Sequence, residues 1–293
     1  SLIAFYMIHM IPGDPARNML GPRATPDRVA ALRQELGLDE PLWVQYGRFV
    51  VGAVHFDFGK SLYYRQAVGP LVLDRLPATL FLVVYSAAIA LLLSIPLGIV
   101  AALKRNGAVD QTIRIVFLIA LAMPAFWLGI LLILILGLRF GIFPIGGYGD
   151  TFPDRLYHLF LPALTIALSL SPLLIRSLRA SMVANIRAQY ATTARAKGLS
   201  ERQVVVGHLL RPSLISTITV LGVNLGFLIG STVIIESVFA IPGLGFLMVS
   251  SIQSRDYPVI QAVTLILALL VLLINLITDM AYALLDPRVT YGA

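Results

Sequence analysis

The chain has 293 residues, of which 22 are Lys or Arg and 15 are Asp or Glu, giving a formal net charge of +7. Hydrophobic residues make up 58 %, charged residues 13 %, Cys is absent and mean hydropathy is +0.87, whereas a soluble domain carries about 25 % charge. That balance excludes a disordered chain and a secreted disulfide scaffold, leaves little room for an ordinary soluble enzyme, and points to an integral membrane protein.

Residues 1–11 are apolar but too short to cross a bilayer. With no initiator Met, no basic flank and no small-residue cleavage pattern after them, they read as the trimmed end of a first span rather than a signal peptide. Residues 12–76 form a longer segment with helical signals of its own. Thr25-Pro26 supplies an N-cap followed by proline at the first helical position, and Leu32, Leu36 and Gly37 fit a helix that stops at the glycine. A second helix opens at Pro41. Trp43, Tyr46, Phe49, Val50 and Ala53 recur at three- and four-residue spacing, a stripe suited to packing against membrane helices or to the membrane interface. Phe58-Gly59-Lys60-Ser61 looks like the tail of a phosphate loop, but Val54 stands where that motif needs glycine, so no nucleotide site is read here.

Five stretches without Asp, Glu, Lys or Arg follow, at 76–103, 115–138, 156–175, 212–235 and 257–278. A spanning helix needs about 20 apolar residues. The runs are continuous rather than alternating, so they predict helices and not a barrel. With residues 1–11 they make six transmembrane helices in an all-α integral membrane protein. One set of short loops and the C-terminus carry 11 Lys and Arg against 3 on the opposite side. The basic side is therefore expected in the cytoplasm, together with both termini, and residues 12–76 outside. Pro96, Pro124 and Pro162 are read as interruptions of spans.

The most informative loop is NIRAQYATTARAKGLSERQVVVGHLLR, residues 185–211. A helix is expected over 186–197 and a left-handed stop at Gly198. Ser200 and Gln203 form a capping box that starts a second helix at Glu201, with Val204, Val205, His208 and Leu209 as its apolar flank. This compact pair, set between two spans, is shaped to be gripped from the cytoplasm. A solvated loop is the plainer alternative, and a DNA-reading helix-turn-helix in GLSERQVV is a weak one.

Thr193-Ala194-Arg195-Ala196-Lys197-Gly198-Leu199-Ser200 resembles the EAA loop of ABC importer permeases, in the form used by the dipeptide/oligopeptide (peptide/nickel) branch. The resemblance runs along the chain. It includes Ile11-Pro12-Gly13-Asp14-Pro15, Leu36-Gly37-Leu38-Asp39, Asp57-Phe58-Gly59, Glu236-Ser237-Val238-Phe239, Ile241-Pro242-Gly243-Leu244-Gly245 and Leu285-Asp286-Pro287-Arg288-Val289. Two departures stand out. Thr192 and Thr193 replace the Glu and Ala of the general motif, a change the peptide branch tolerates, and the proline expected near the end of the loop falls at Pro212.

The resemblance implies a first-permease subunit with type I ABC importer architecture. Residues 1–11 would end the first helix and 12–76 would be an extracytoplasmic helical segment. Residues 77–285 would form the permease core with a cytoplasmic coupling loop at 186–211, and 286–293 a cytoplasmic tail. Thr193 to Ser200 would contact an ATPase. The implied partners are a second homologous permease, two ABC ATPase subunits, an extracytoplasmic substrate-binding protein and membrane lipid, with no nucleic acid. The cargo would be di- or oligopeptides, with nickel complexes or glutathione as alternatives.

Within the spans, Asn224, Gly226, Gly230 and Glu236 are tentative translocation-pathway residues. Asn224 is grouped with Gly222, Gly226 and Gly230 as lying near one helical face, although a glycine run also serves plain helix packing. Glu236 at the outer end of its span either faces the pathway or pairs at the interface. Asp279 and Asn275 read as structural. His9, His55, His158 and His208 are scattered without metal-ligand spacing, no Ser/His/Asp constellation appears, and no catalytic residue, metal or cofactor is expected. The rival readings are a secondary transporter without an ATPase, a membrane-embedded enzyme and a structural subunit. Neither internal repeats nor a cluster of ionisable groups at membrane depth supports the first two.

Overall fold

The structure, a computed structural model, describes residues 14–21, 24–61 and 63–285, together with Leu2, Phe5 and Tyr6. The expected end of a first span at 1–11 and the tail at 286–293 lie outside the described residues, apart from those three. The regular elements among the described residues are helices, in two compact units: Ser1–Thr79 with Ile241–Leu270, and Leu80–Ala240 with Val271–Ala293.

In the first unit, helix α1 (Pro15–Leu20) is followed by α2 (Pro26–Leu36) and α3 (Leu42–Val54). Thr25 precedes α2 in extended conformation, and the helix ends at Gly37 (φ +64°), where a left-handed residue needs no Cβ. Arg33 ties this corner together through Asp39 at 2.7 Å and Asp14 at 3.2 Å. The stripe on α3 is mostly half-buried, and Phe5 packs edge-on against Tyr46 with ring centroids 5.4 Å apart. Trp43 departs from it: its ring is exposed, while Gln45 is buried and donates to the carbonyls of Glu40 (2.7 Å) and Leu38 (3.3 Å). The core of the unit joins Val68, Leu71 and Val72 of α4 (Val68–Leu103) to Leu244 and Leu247 of a later helix and to Val259 and Val263 of the last one.

The second unit holds α5 (Ala108–Ala122), α6 (Ala125–Leu132, continued as a π-helical turn Ile133–Arg139), α7 (Phe152–His158) and α8 (Phe160–Ile186). It continues with α9 (Gln189–Ala196), α10 (Glu201–Gln203), a π-helical turn Val204–Leu210 and α11 (Arg211–Val238). Helix α12 (Leu244–Ser254) belongs to the first unit, and α13 (Tyr257–Leu285) begins there.

Among the described residues four helices are long and apolar enough to cross a membrane: Val68–Leu103, Phe160–Ile186, Glu201–Val238 and Tyr257–Met280. The remaining expected span, 115–138, is not one straight helix. Ala108–Ala122 and Ala125–Arg139 meet at a bend of 106°. Pro124 is the cause: the residue before a proline is pushed out of the α region, and Met123 is extended at ψ 135°. The other two prolines do not interrupt. Pro96 lies inside an unbroken α4, and Pro162 sits in the first turn of α8, where no helical donor is lost. The proline in the interior of α8 is Pro172.

Candidate functional site

The loop between α8 and α11 folds into two short helical pieces around Gly198. Helix α8 does not run on into α9. It ends at Ile186, and Ala188 is extended (ψ 148°) before α9 begins at Gln189, so the helix expected over 186–197 starts three residues later and ends at Ala196. Gly198 adopts φ +84° with its N–H on the Arg195 carbonyl at 2.9 Å, and nothing lies within 4 Å of the position a Cβ would take. Its role is therefore conformational rather than a matter of close packing. At the second cap, Gln203 Oε1 accepts from the Ser200 N–H (2.9 Å) and from the Ser200 hydroxyl (2.8 Å).

The two pieces share one apolar seam. Ala191 and Ala194 of α9 are buried against Val204, Val205 and Leu209. The same cluster includes Leu178 and Met182 of α8 and Ala102 of α4, so the loop is fastened to the C-terminal parts of two long helices. His208, expected on the apolar flank, is exposed instead. In the π-helical turn the registry of the second piece differs from the 3.6-residue period assumed for it.

Electrostatics closes the corner. Arg195 donates to Glu201 through Nε (2.7 Å) and Nη2 (3.3 Å), and its Nη1 lies 3.5 Å from the carbonyl of Ile186 at the end of α8. The Glu201 carboxylate holds the guanidinium pKa above its ordinary value. Thr193 donates its hydroxyl to the Gln189 carbonyl at 3.0 Å. Thr193, Ala196, Lys197 and Ser200 face outward and Leu199 is half-buried. Gln189, Tyr190, Thr193, Lys197, Leu199 and His208 line a shallow open cleft on this outer face. Tyr190 and His208 belong to it by position alone; neither carries a sequence signal that marks it.

The four pathway residues are not brought together as one site. On α11, Gly222 and Gly226 pack against α13: a Cβ on Gly222 would collide with the Thr278 side chain, and one on Gly226 would meet Asn275 Oδ1 at 3.2 Å. Gly230 faces open space. Asn224 does not share their face. Two residues turn an α-helix by about 200°, and its Nδ2 donates to its own helix at Val220 O, 2.7 Å away. Glu236 is wholly buried and is not without a partner. Three residues on, Phe239 is also buried. It fills the space above Gly129, where a Cβ would lie 3.0 Å from its ring, and its carbonyl accepts from the Gly147 N–H at 3.0 Å. Among the described residues no group of three His, Cys, Asp or Glu side chains is placed to hold a metal ion.

Residues 94–291 match the family described as "Binding-protein-dependent transport system inner membrane component", and residues 1–83 match its N-terminal counterpart, "Binding-prot-dependent transport system membrane comp, N-term". The glutathione transport system permease protein GsiC of Escherichia coli strain K12 is 40 % identical over 291 residues, covering 99 % of this chain and 94 % of that protein. The GsiC protein of Shigella flexneri serotype 5b (strain 8401) is 39 % identical over the same length and shares. Among solved structures, an inward-facing MetNI methionine ABC transporter aligns with TM-score 0.62 at 18 % identity, over 74 % of this chain and 96 % of that one. An amino acid ABC transporter with histidines aligns with TM-score 0.53 at 17 % identity, over 75 % and 94 %. At such identities the likeness is one of fold.

Proposed function

The chain belongs to the family of binding-protein-dependent transport system inner membrane components, and from that premise we propose that it is one of two paired permeases of an ABC importer for small peptides. The family makes it a multi-pass inner membrane subunit that is itself non-catalytic and works with ATPase and binding-protein partners. The resemblance first read from the 193–200 motif leads to the same family.

The observation that carries the coupling assignment is the buried seam under α9. A load applied to an exposed loop moves a membrane span only if the two are joined rigidly. Here Ala191 and Ala194 are packed onto Leu178, Met182 and Ala102. ATP-driven closure of two ATPase subunits would displace residues 186–211, and the seam would pass that displacement to α8 and α4. Thr193 to Ser200 form the contact. The spans then turn and change which side of the membrane the central cavity faces.

The remaining assignments follow the same frame. Six spans place both termini and the basic loops in the cytoplasm, with 12–76 outside to meet the binding protein. The second permease faces this one across the pathway. The exposed side of α11 around Gly230 is the pathway stretch best suited to that position, with Asn224, Gly226 and Glu236 on the same helix. Di- or oligopeptides are the cargo. The relatives named for glutathione transport, itself a tripeptide, favour that end of the range over nickel complexes.

Purification of the tagged chain from native membranes in mild detergent tests this. Recovery of a second permease with P-loop ATPases, and ATPase activity stimulated by binding protein loaded with glutathione or a dipeptide, is the expected result. A chain that elutes without any ATPase, even after crosslinking, would overturn the importer reading. A complex that responds to neither peptide class would overturn the cargo.

A further inference from the structure

We propose that the cleft between α5 and α8 is a binding site for an anionic phospholipid of the cytoplasmic leaflet. Arg105, Arg114, Arg176 and Arg179 all line this cleft of about 660 Å³. Its volume lies in the range of about 300–1,000 Å³ typical of sites that hold a small molecule.

Only one of the four guanidiniums is neutralised. Asp110, fully buried, accepts from Arg179 Nε (2.8 Å) and Nη2 (2.6 Å) and from the Asn106 N–H (2.9 Å). Three of the roughly four acceptor sites of its carboxylate are taken by that pair and by the N–H at the left-handed turn of Asn106 (φ +64°). Arg105, Arg114 and Arg176 are exposed and have no ion-pair partner among the described residues. Three uncompensated positive charges therefore converge on a cleft whose polar lining is completed by Asn106 and Gln111.

The other part of the cleft is greasy. Leu118, Leu121 and Leu173 line it and are exposed. Along α5, Leu121 lies eleven residues beyond Asp110, about 16 Å at the rise of an α-helix. Charge before and in the first two turns of α5, facing Arg176 and Arg179 of α8, with exposed leucines further along α5 and Leu173 one turn earlier on α8, is the order of a phospholipid, headgroup first and acyl chain after. A free phosphate needs only the first part. Basic pockets between spans on the cytoplasmic side suit acidic headgroups, and each arginine near such a surface is worth about 1 kcal/mol, or roughly fivefold in binding.

The inference rests on the cytoplasmic placement of the 104–114 loop proposed above. The test uses the assembled complex in nanodiscs of phosphatidylcholine with a minority of phosphatidylglycerol. After transfer to detergent and gel filtration, retained lipid is counted by mass spectrometry. Wild type is expected to retain phosphatidylglycerol at least about fivefold above the supplied ratio, and a wash with inorganic phosphate should not displace it. The R105Q/R114Q/R176Q variant should fall to the supplied ratio while still assembled with its ATPases. Equal retention by wild type and variant, or displacement by inorganic phosphate, overturns the site. So does absence of lipid with crosslinking of Gln111→Cys to a neighbouring subunit. Gln111→Cys in right-side-out vesicles separates the two readings. Labelling by an impermeant maleimide overturns the cytoplasmic placement and the leaflet together, whereas protection with no lipid enrichment overturns the lipid site alone.

Discussion

Arg195 and Glu201 face each other across the Gly198 turn, Nε to Oε1 at 2.7 Å, and the same guanidinium reaches back to the last carbonyl of α8. The pair is exposed, with Glu201 two-thirds open to solvent at 67 %, so it contributes little to thermal stability. Its value is in fixing the angle between the two helical pieces. Arg195→Ala should leave the melting temperature unchanged and lower transport per ATP hydrolysed in proteoliposomes. The reversed pair R195E/E201R should recover part of the coupling. Full transport stoichiometry in Arg195→Ala would show that the angle is held by the apolar seam alone.

Gly198 tests the same corner through the backbone. With no neighbour within 4 Å, a side chain there meets no clash, only the left-handed φ of +84°, which costs an ordinary residue roughly 1–2 kcal/mol. A β-branched residue tolerates it least. Gly198→Val is expected to uncouple ATP hydrolysis from transport, Gly198→Ala to do so partially, and Gly198→Asn to stay near wild type because asparagine visits this region. A Gly198→Val complex that transports at the normal rate per ATP would falsify the coupling role of the 186–211 loop.

Much of this corner was legible beforehand because its signals are local. Gly198 and the Ser200/Gln203 box fix backbone geometry within a few residues, and both appear where the sequence puts them. Thr25-Pro26 and Gly37 bound α2 for the same reason. What was not legible depends on partners far away in the chain. The pairing of Asp110 with Arg179 and the burial of Glu236 have no local pattern. The 106° bend at Pro124 was half visible: proline marks an interruption, but whether a span kinks or folds back depends on what receives it. Asn224 is close to the glycines in sequence, and helical geometry separates it from them.

The glycines of α11 should separate by position. Gly222→Val forces the Thr278 side chain, and with it α13, to move, an overpacking cost of about 1–3 kcal/mol. Gly226→Ala is tight but negotiable at 3.2 Å from a rotatable amide. Gly230→Ala meets nothing. Melting of the purified subunit should therefore fall for Gly222→Val, shift slightly for Gly226→Ala and hold for Gly230→Ala. A change of transport with unchanged melting in larger Gly230 variants is what a pathway face would give.

Asp110 and Arg179 link α5 to α8 as a bidentate pair with the carboxylate fully buried. Removing one partner of such a pair leaves the other charge uncompensated, at a cost of about 3 kcal/mol or somewhat less where the arginine retains partial exposure. Asp110→Ala should lower the melting temperature markedly and Asp110→Asn less, since the amide still accepts one hydrogen bond. The double variant D110A/R179A should be milder than Asp110→Ala alone. If the double is worse than either single, the pair is not the link between these helices.

Ser61, the last residue of the stretch that mimics a phosphate loop, has a structural task instead. Its hydroxyl donates to Asp256 Oδ2, which also accepts the Tyr63 N–H at 3.3 Å, and the Tyr64 N–H donates to Ser61 Oγ at 2.8 Å. One carboxylate oxygen thus pins Ser61 and Tyr63 to the junction of α12 and α13. The other, Oδ1, is buried without a donor among the described residues. A desolvated oxygen with no donor gains nothing from carrying charge, whereas the two bonds on Oδ2 need only an acceptor. Asp256→Asn keeps that acceptor and removes the buried charge, so it should match or exceed wild type in stability. Asp256→Ala strands a buried hydroxyl and an N–H, a loss of about 1–3 kcal/mol. Hydrogen exchange across 59–65 reads this directly: protection kept in Asp256→Asn and lost in Asp256→Ala. Equal loss in both variants would mean that the charge itself is held, and that Oδ1 meets a cation or a donor that the chain alone does not supply.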